Sequence, residues 1–397
     1  MLTSLRQNPY YRLFIWVAAF TCVGLVLWIG MDAVTGPEWM VTDDYAEYWT
    51  AGQLNLTGGN PYDPHQMLVL QRNLGARQQE PVMMWNPPWM LALAMPLSLI
   101  SYPLSRVLWL LFSFLVVFVC INRLWSLYGG PQQARWIGWI AGLAFAPFLD
   151  GLRIGQSSVL ILVGVVGFLH AIHHRRPWLA GAFLSFLAVK PQVLYLFAIA
   201  ALFWSVNNRQ WPVLVGAVIA LALATIIAWV ANPGVFGQYQ QAIRNYSPLI
   251  WATPTLGGLF RLLFGTQKIW LQYVPPAIGF LWFLDHWRRQ RKRWDWLDQA
   301  PLLILVSSVT MAYGWTWDLT AAIVPIIQIT VWIMMPGWDM EKVIIAAGYA
   351  IVNSVDLFVS GLQFWMWWLP PVLLIWYLAA IRIMRKRSLR SLHEPAI

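Results

Sequence analysis

The sequence predicts an all-α polytopic membrane protein. Three observations carry that reading. Apolar residues make up 59% of the 397 and charged residues 11%, with a mean hydropathy of +0.57. Apolar runs recur from end to end, and most Lys and Arg gather between alternate runs. A soluble domain is about a quarter charged, whereas a helix crossing the hydrocarbon core needs about 20 mainly apolar residues.

The first run, Leu13 to Met31, has Arg6 and Arg12 before it and no small-residue cleavage pattern after it. It is therefore expected to stay as an anchor. Further runs lie near 104–122, 136–149, 157–171, 178–189, 192–206, 212–230, 268–284, 299–313, 319–335, 343–359 and 365–381. That gives about twelve spans, with both termini on one side. Several are short, and these either extend into their flanks or line a cavity, where a full crossing is unnecessary. The run Pro87 to Ile100 is read differently, because a full crossing there would move every later loop to the other side. It is expected as a half-inserted helix on the outer face. The chain is thus read as one transmembrane domain over 1–397, with a first outer loop at 32–103, a second at 231–267 and a basic tail at 382–397.

Charge supports this parity. The outer side receives Arg72, Arg77, Arg106, Arg153, Lys190, Arg244, Arg261 and Lys268, and every other Lys and Arg of the 26 falls on the inner side. Cytoplasmic loops carry such an excess, so both termini are expected in the cytoplasm and the outer loops outside the cell membrane. The net charge of +10 is dispersed along loops. It suits anionic lipid heads and argues against a nucleic-acid partner. Trp136, Trp178, Trp211, Trp287, Trp365 and Trp368 beside span ends suit interfacial belts. Cys22 and Cys120 both lie inside apolar runs, so there is no disulfide framework.

The chemistry is expected near Asp43, Asp44 and Glu47. As a helix, this stretch puts Asp44, Glu47, Tyr48 and Ala51 on one face. One reading makes Asp44 an N-cap with Glu47 at the third position. The other makes it a reactive carboxylate facing cations at the membrane surface. Three short outer junctions supply polar groups at span ends, where an unpaired charge costs about 2.5–3.5 kcal/mol. They are Asp150 to Gln156, Val189 to Gln192 and Tyr313 to Asp318. Lys190 reads either as a snorkelling anchor or, with Pro191 limiting helix continuation, as a cavity cation. Arg244 and Arg261, interleaved with aromatics, read also as solvated arginines of an amphipathic surface helix.

Taken in order, these elements resemble a known family. They are Asp44-Tyr45-x-x-Tyr48-Trp49-x-Ala51-Gly52, Gly59-Asn60-Pro61-Tyr62-Asp63, Asn86-Pro87-Pro88 with Pro96-Leu97, Gly155-Gln156, Lys190-Pro191, and Trp317-Asp318-Leu319 with Pro325. Over roughly residues 40–330 the chain is similar to glycosyltransferase family 87, membrane enzymes of the GT-C type that include polyprenyl-phosphate-mannose-dependent mannosyltransferases. Members often carry a His near the Trp-Asp element, where this chain has Tyr313-Gly314-Trp315-Thr316.

The resemblance implies a GT-C-type fold with outer juxtamembrane helices. It also implies a polyprenyl-phosphate sugar donor and a lipid or glycan acceptor. Catalysis would fall to Asp44 with Glu47, and donor phosphate binding to Lys190 with Arg244, Arg153 or Arg261. Substrate contacts would come from Asp43, Tyr48, Tyr62, Trp85, Asn86, Gln156, Trp317 and Asp318. A divalent metal is not expected, since a lipid monophosphate needs less neutralisation than a diphosphate, although Asp43 with Glu47 offers a candidate pair. The competing readings are a transporter or flippase of lipid-linked sugars, which would show internal repeats, and a membrane glycan polymerase or ligase.

Overall fold

The computed structural model describes residues 44–246, 251–337 and 339–391. Asp43, Cys22, Arg6, Arg12 and the run Leu13 to Met31 lie outside the described residues, which are helical with no strand among them. The helices are α1 (Tyr45–Leu56), α2 (Pro64–Asn73), α3 (Leu91–Ser98), α4 (Tyr102–Leu127), α5 (Arg135–Leu143), α6 (Ala146–Ile154), α7 (Ser158–His173) and α8 (Pro177–Leu184). The order continues with α9 (Tyr195–Asn207), α10 (Trp211–Ala231), α11 (Val235–Tyr246), α12 (Leu256–Phe264), α13 (Val274–Gln290), α14 (Trp296–Thr310), α15 (Ile323–Met334), α16 (Met340–Val359) and α17 (Leu369–Ser391). Tight 3₁₀ turns lead into α3 (Pro88–Met90), follow α8 (Ser185–Val189) and lead into α15 (Thr316–Ala322).

Every described run expected as a span is helical, but fewer are long. Five helices are long and apolar enough to cross a membrane, or six if α5 and α6, bent by 61°, form one broken span. Ser158–His173, Pro177–Val189, Tyr195–Asn207 and Trp296–Thr310 are apolar yet shorter. Hydropathy marks an apolar segment without marking where its helix stops. The α5–α6 break illustrates this. Asn353 of α16 donates to the Ala144 carbonyl (2.7 Å) and accepts from the Ala146 amide (2.8 Å), satisfying backbone groups freed at the bend. Pro88–Ser98, the run read as half-inserted, is likewise a short apolar helix. Trp178, Trp211 and Trp365 are exposed as a belt requires. Trp287, by contrast, is buried in an aromatic cluster with Phe203 and Trp294.

Two glycines set the backbone around the site. α1 lies against α3 through Gly52, where a Cβ would stand 2.8 Å from the Ala94 carbonyl oxygen. α6 ends at Gly155, whose φ of 77° is the left-handed conformation favoured at helix C-termini. A Cβ there would lie 2.5 Å from Tyr45 Cβ, so Gly155 lets the residue after it meet the start of α1. Arg106, inside the α4 span and fully buried, braces the same corner. Its guanidinium donates to the Arg153 carbonyl at the end of α6 (2.5 Å) and lies 5.5 Å from the Tyr45 ring centre, matching cation to helix C-terminus.

Candidate active site

Asp44 occupies the N-cap position of α1, but its side chain makes no capping bond. The carboxylate instead accepts from Gln156 Nε2 through Oδ2 at 2.5 Å. Elsewhere ordinary caps are formed, as where Asp63 accepts from the Gln66 amide (2.8 Å) and Thr255 from the Gly258 amide (3.1 Å). Asp44 thus gives up a local bond for a long-range one.

From Gln156 the connection continues. Its Oε1 accepts from Lys190 Nζ (2.7 Å) and from the Tyr48 hydroxyl (3.2 Å). Lys190 Nζ also donates to Asp318 Oδ1 at 2.6 Å, an ion pair whose side chains are 12% and 1% exposed. Asp318 is fully engaged, since Oδ1 also accepts from Ser158 Oγ (2.7 Å) and Oδ2 from the Trp315 amide (3.0 Å). The last bond closes the 3₁₀ turn at Thr316–Ala322. Of the three N–H bonds of Lys190, two are short, and the third meets Ser158 Oγ only at 3.4 Å.

Around this chain lies a cavity of about 310 Å³. Its lining includes Asp44, Glu47, Trp85, Asn86, Gln156, Lys190, Tyr239, Trp251, Tyr313, Trp315, Trp317 and Asp318. Asn86 is anchored by donating to the Val189 carbonyl (3.0 Å), and its own carbonyl accepts from Tyr62 (3.1 Å). The walls are aromatic. Trp315 stacks on Trp317 at 5.4 Å, Trp85 meets Trp251 edge-on at 6.1 Å, and Tyr62 packs on Tyr239 at 5.0 Å.

Burial pushes the Asp44 carboxyl above the ordinary range, against Gln156 and Lys190, which favour its ionised form. Glu47 is pushed well above that range by burial and by the Asp44 charge. Burial thus holds both neighbouring acids toward their neutral forms, with Lys190 opposing this at each and the Gln156 amide opposing it at Asp44.

Most of the expected residues converge on this cavity. Asp44, Glu47, Trp85, Asn86, Gln156, Lys190, Trp317 and Asp318 line it, while Tyr48 and Tyr62 stand just behind. The arginines do not join them. Arg244 and Arg153 are exposed. Arg261 is buried in the second loop, donating to Gln272 Oε1 (2.6 Å) and to the Thr266 (2.9 Å) and Trp251 (3.2 Å) carbonyls. Lys190 is the one cation among the described lining residues. Sequence reasoning missed Tyr239, Trp251, Trp315, Ser157, Ser158 and Arg106 as site or supporting residues. An arginine within the apolar run of α4 and the Ser-Ser pair after Gly155-Gln156 were the available signals. No group of three or more His, Cys, Asp or Glu able to hold a metal occurs among the described residues.

A helical membrane protein with paired acids and a neutralised lysine in an aromatic cavity has the features of a carbohydrate-active site, where rings face sugar C–H groups and carboxylates bond hydroxyls. The profile of glycosyltransferase family 87 matches residues 85–315. The chain belongs to that family, and it is a membrane glycosyltransferase acting on a sugar donor and an acceptor. The match includes Gln156 and Lys190 and stops short of Asp44, Glu47, Trp317 and Asp318. No curated protein and no solved structure matches the chain. Family membership decides for transfer over the transporter reading.

Proposed function

We propose that the protein transfers a sugar, mannose or a close relative, from a polyprenyl-phosphate donor to a lipid or glycan acceptor, with inversion and with Asp44 as general base. The observation that carries this is the placement of the Asp44 carboxylate. It leaves its own helix uncapped and faces the cavity, joined through Gln156 to a lysine. The acceptor oxygen attacks the anomeric carbon while Asp44 takes its proton, and the bond from that carbon to the phosphate oxygen breaks with its electron pair leaving on phosphate. Lys190 is the donor-phosphate ligand, its less engaged N–H offered to the leaving oxygen. Glu47, the more buried acid, stays protonated and bonds a substrate hydroxyl.

Two further features support a lipid-linked substrate on the extracytoplasmic side. An apolar groove of about 250 Å³, lined by Leu184, Leu187, Ala188, Pro191, Ala217 and Leu221 among others, shares Pro191 with the cavity. A hydrocarbon chain there would leave its phosphate beside Lys190. Ser158 bonds Asp318 at the first turn of α7, whereas His173 to Arg176 lie about 24 Å away at its other end. By the positive-inside rule the cavity end is the outer one. The monophosphate leaving group asks for one cation, so we assign no metal cofactor.

The test offers the purified protein, in lipid nanodiscs with extracted membrane glycolipid as acceptor, radiolabelled polyprenyl-phosphate mannose and, separately, the nucleotide sugar. Labelled product is expected from the first only. Product from the nucleotide sugar alone would overturn the donor assignment.

A further inference from the structure

Gln156 bonds both Asp44 and Lys190, and the order of its two ends is imposed from outside. Lys190 has only hydrogens to give, and the Tyr48 hydroxyl donates as well, so both bind the carbonyl oxygen. The NH₂ end is thereby turned to Asp44 Oδ2. The backbone holds this arrangement. The Gln156 amide donates to the Gly151 carbonyl (2.8 Å), Gly155 supplies the left-handed turn, and Gln156 is 6% exposed.

We infer that Gln156 is a positioning residue for the base, holding the Asp44 carboxylate by one oxygen so that the other is presented to the acceptor hydroxyl, with its own orientation set by the donor-side lysine. The inference rests on Asp44 being the base, and it gives Gln156 a role through Asp44 in place of a substrate contact. It also makes the ionisation of Asp44 depend on Gln156. The charged and titratable groups facing Asp44 are Glu47 and Tyr48 from α1, Lys190 from the α8–α9 junction, and Tyr313 and Asp318 from the turn before α15. Burial and Asp318 oppose its ionised form, and Gln156 and Lys190 favour it. Removing a donor from an ionised carboxylate raises its pKa. Because a base must be deprotonated to act, the acid limb of the rate profile then moves to higher pH.

The experiment measures kcat and both KM values against pH for the wild type and for Gln156→Met, which keeps length but loses donor and acceptor, using radiolabelled polyprenyl-phosphate mannose and the glycolipid acceptor. A kcat loss of roughly 10- to 100-fold is expected from a misaligned base, with the acid limb shifted to higher pH and both KM values nearly unchanged. A raised KM with the acid limb in place would overturn the inference and make Gln156 a substrate ligand. Gln156→Glu, of the same size and still able to accept from Lys190, is the second variant should the first fail to fold. Its added negative charge should move the limb in the same direction, and an unmoved limb is contrary. The base and its positioning residue are tested separately. Full activity in Asp44→Asn removes the base itself, whereas an inactive Asp44→Asn with an unmoved limb in the Gln156 variants removes only the positioning role.

Discussion

Asp44→Asn is expected to fold, to bind donor, and to lose about 10²- to 10⁴-fold in kcat, the contribution credited to a general base. The structure makes this substitution clean. The side chain makes no helix cap, so capping is not at stake, and the asparagine carbonyl oxygen can still accept from Gln156 Nε2. What is removed is the basic oxygen together with its negative charge. Glu47→Gln should be milder, because Glu47 is the acid that burial and the neighbouring Asp44 charge drive furthest toward its neutral form, and glutamine resembles that form. In the wild type, activity should fall as pH drops through a value above the ordinary carboxylate range, since the Asp44 carboxyl is raised and must lose its proton to work. Steady-state kinetics on the two variants decides between the acids. An inactive Glu47→Gln beside an active Asp44→Asn would exchange their roles.

The second large effect concerns Lys190, where stability and chemistry must be separated. Lys190→Ala leaves Asp318, its side chain 1% exposed, without its cation. Breaking a buried pair from one side costs about 3–5 kcal/mol. The single variant should therefore melt well below the wild type, and its lost activity alone would say little. Lys190→Met combined with Asp318→Asn removes both charges and should recover much of the melting temperature. The double variant should still transfer sugar about 10²- to 10³-fold more slowly, as when one transition-state donor is lost. Thermal melting in detergent and donor-dependent kinetics check the two halves. Recovery of activity along with stability would make Lys190 a structural partner of Asp318 and no donor ligand.

The parts of this site that were legible in the sequence share a physical reason. Asp44, Gln156, Lys190 and Asp318 lie far apart in the chain, yet the last three are polar groups at the edges of apolar runs, where leaving them unpaired is costly, and Asp44 stands out in a cluster of carboxylates. Such groups find partners, and these four found one another. The arginines show the opposite case. Arg153, Arg244 and Arg261 fall in segments that charge parity reads as outer and look equivalent as letters, but such connecting segments offer solvent and backbone carbonyls as well as a cavity. Arg261 took carbonyls and Arg244 took solvent. The span count was hard to read for a related reason. Apolar composition is the same for a helix that crosses, one that stops after 13 residues such as α9, and one broken at Ala144, because the bonds that terminate or bend a helix come from distant residues such as Asn353.

The anomeric configuration of the product tests the central claim most directly. Asp44, Glu47 and Asp318 put three carboxyls around one cavity, so a double displacement through a covalent glycosyl-carboxylate is the chemical rival to single displacement assisted by one base. Product formed from β-linked polyprenyl-phosphate mannose is to be isolated and its anomeric one-bond carbon–hydrogen coupling measured by NMR. A single displacement at the base-bearing face predicts an α-linked product, with inversion. A β-linked product would mean retention, and would contradict the role of Asp44 as general base.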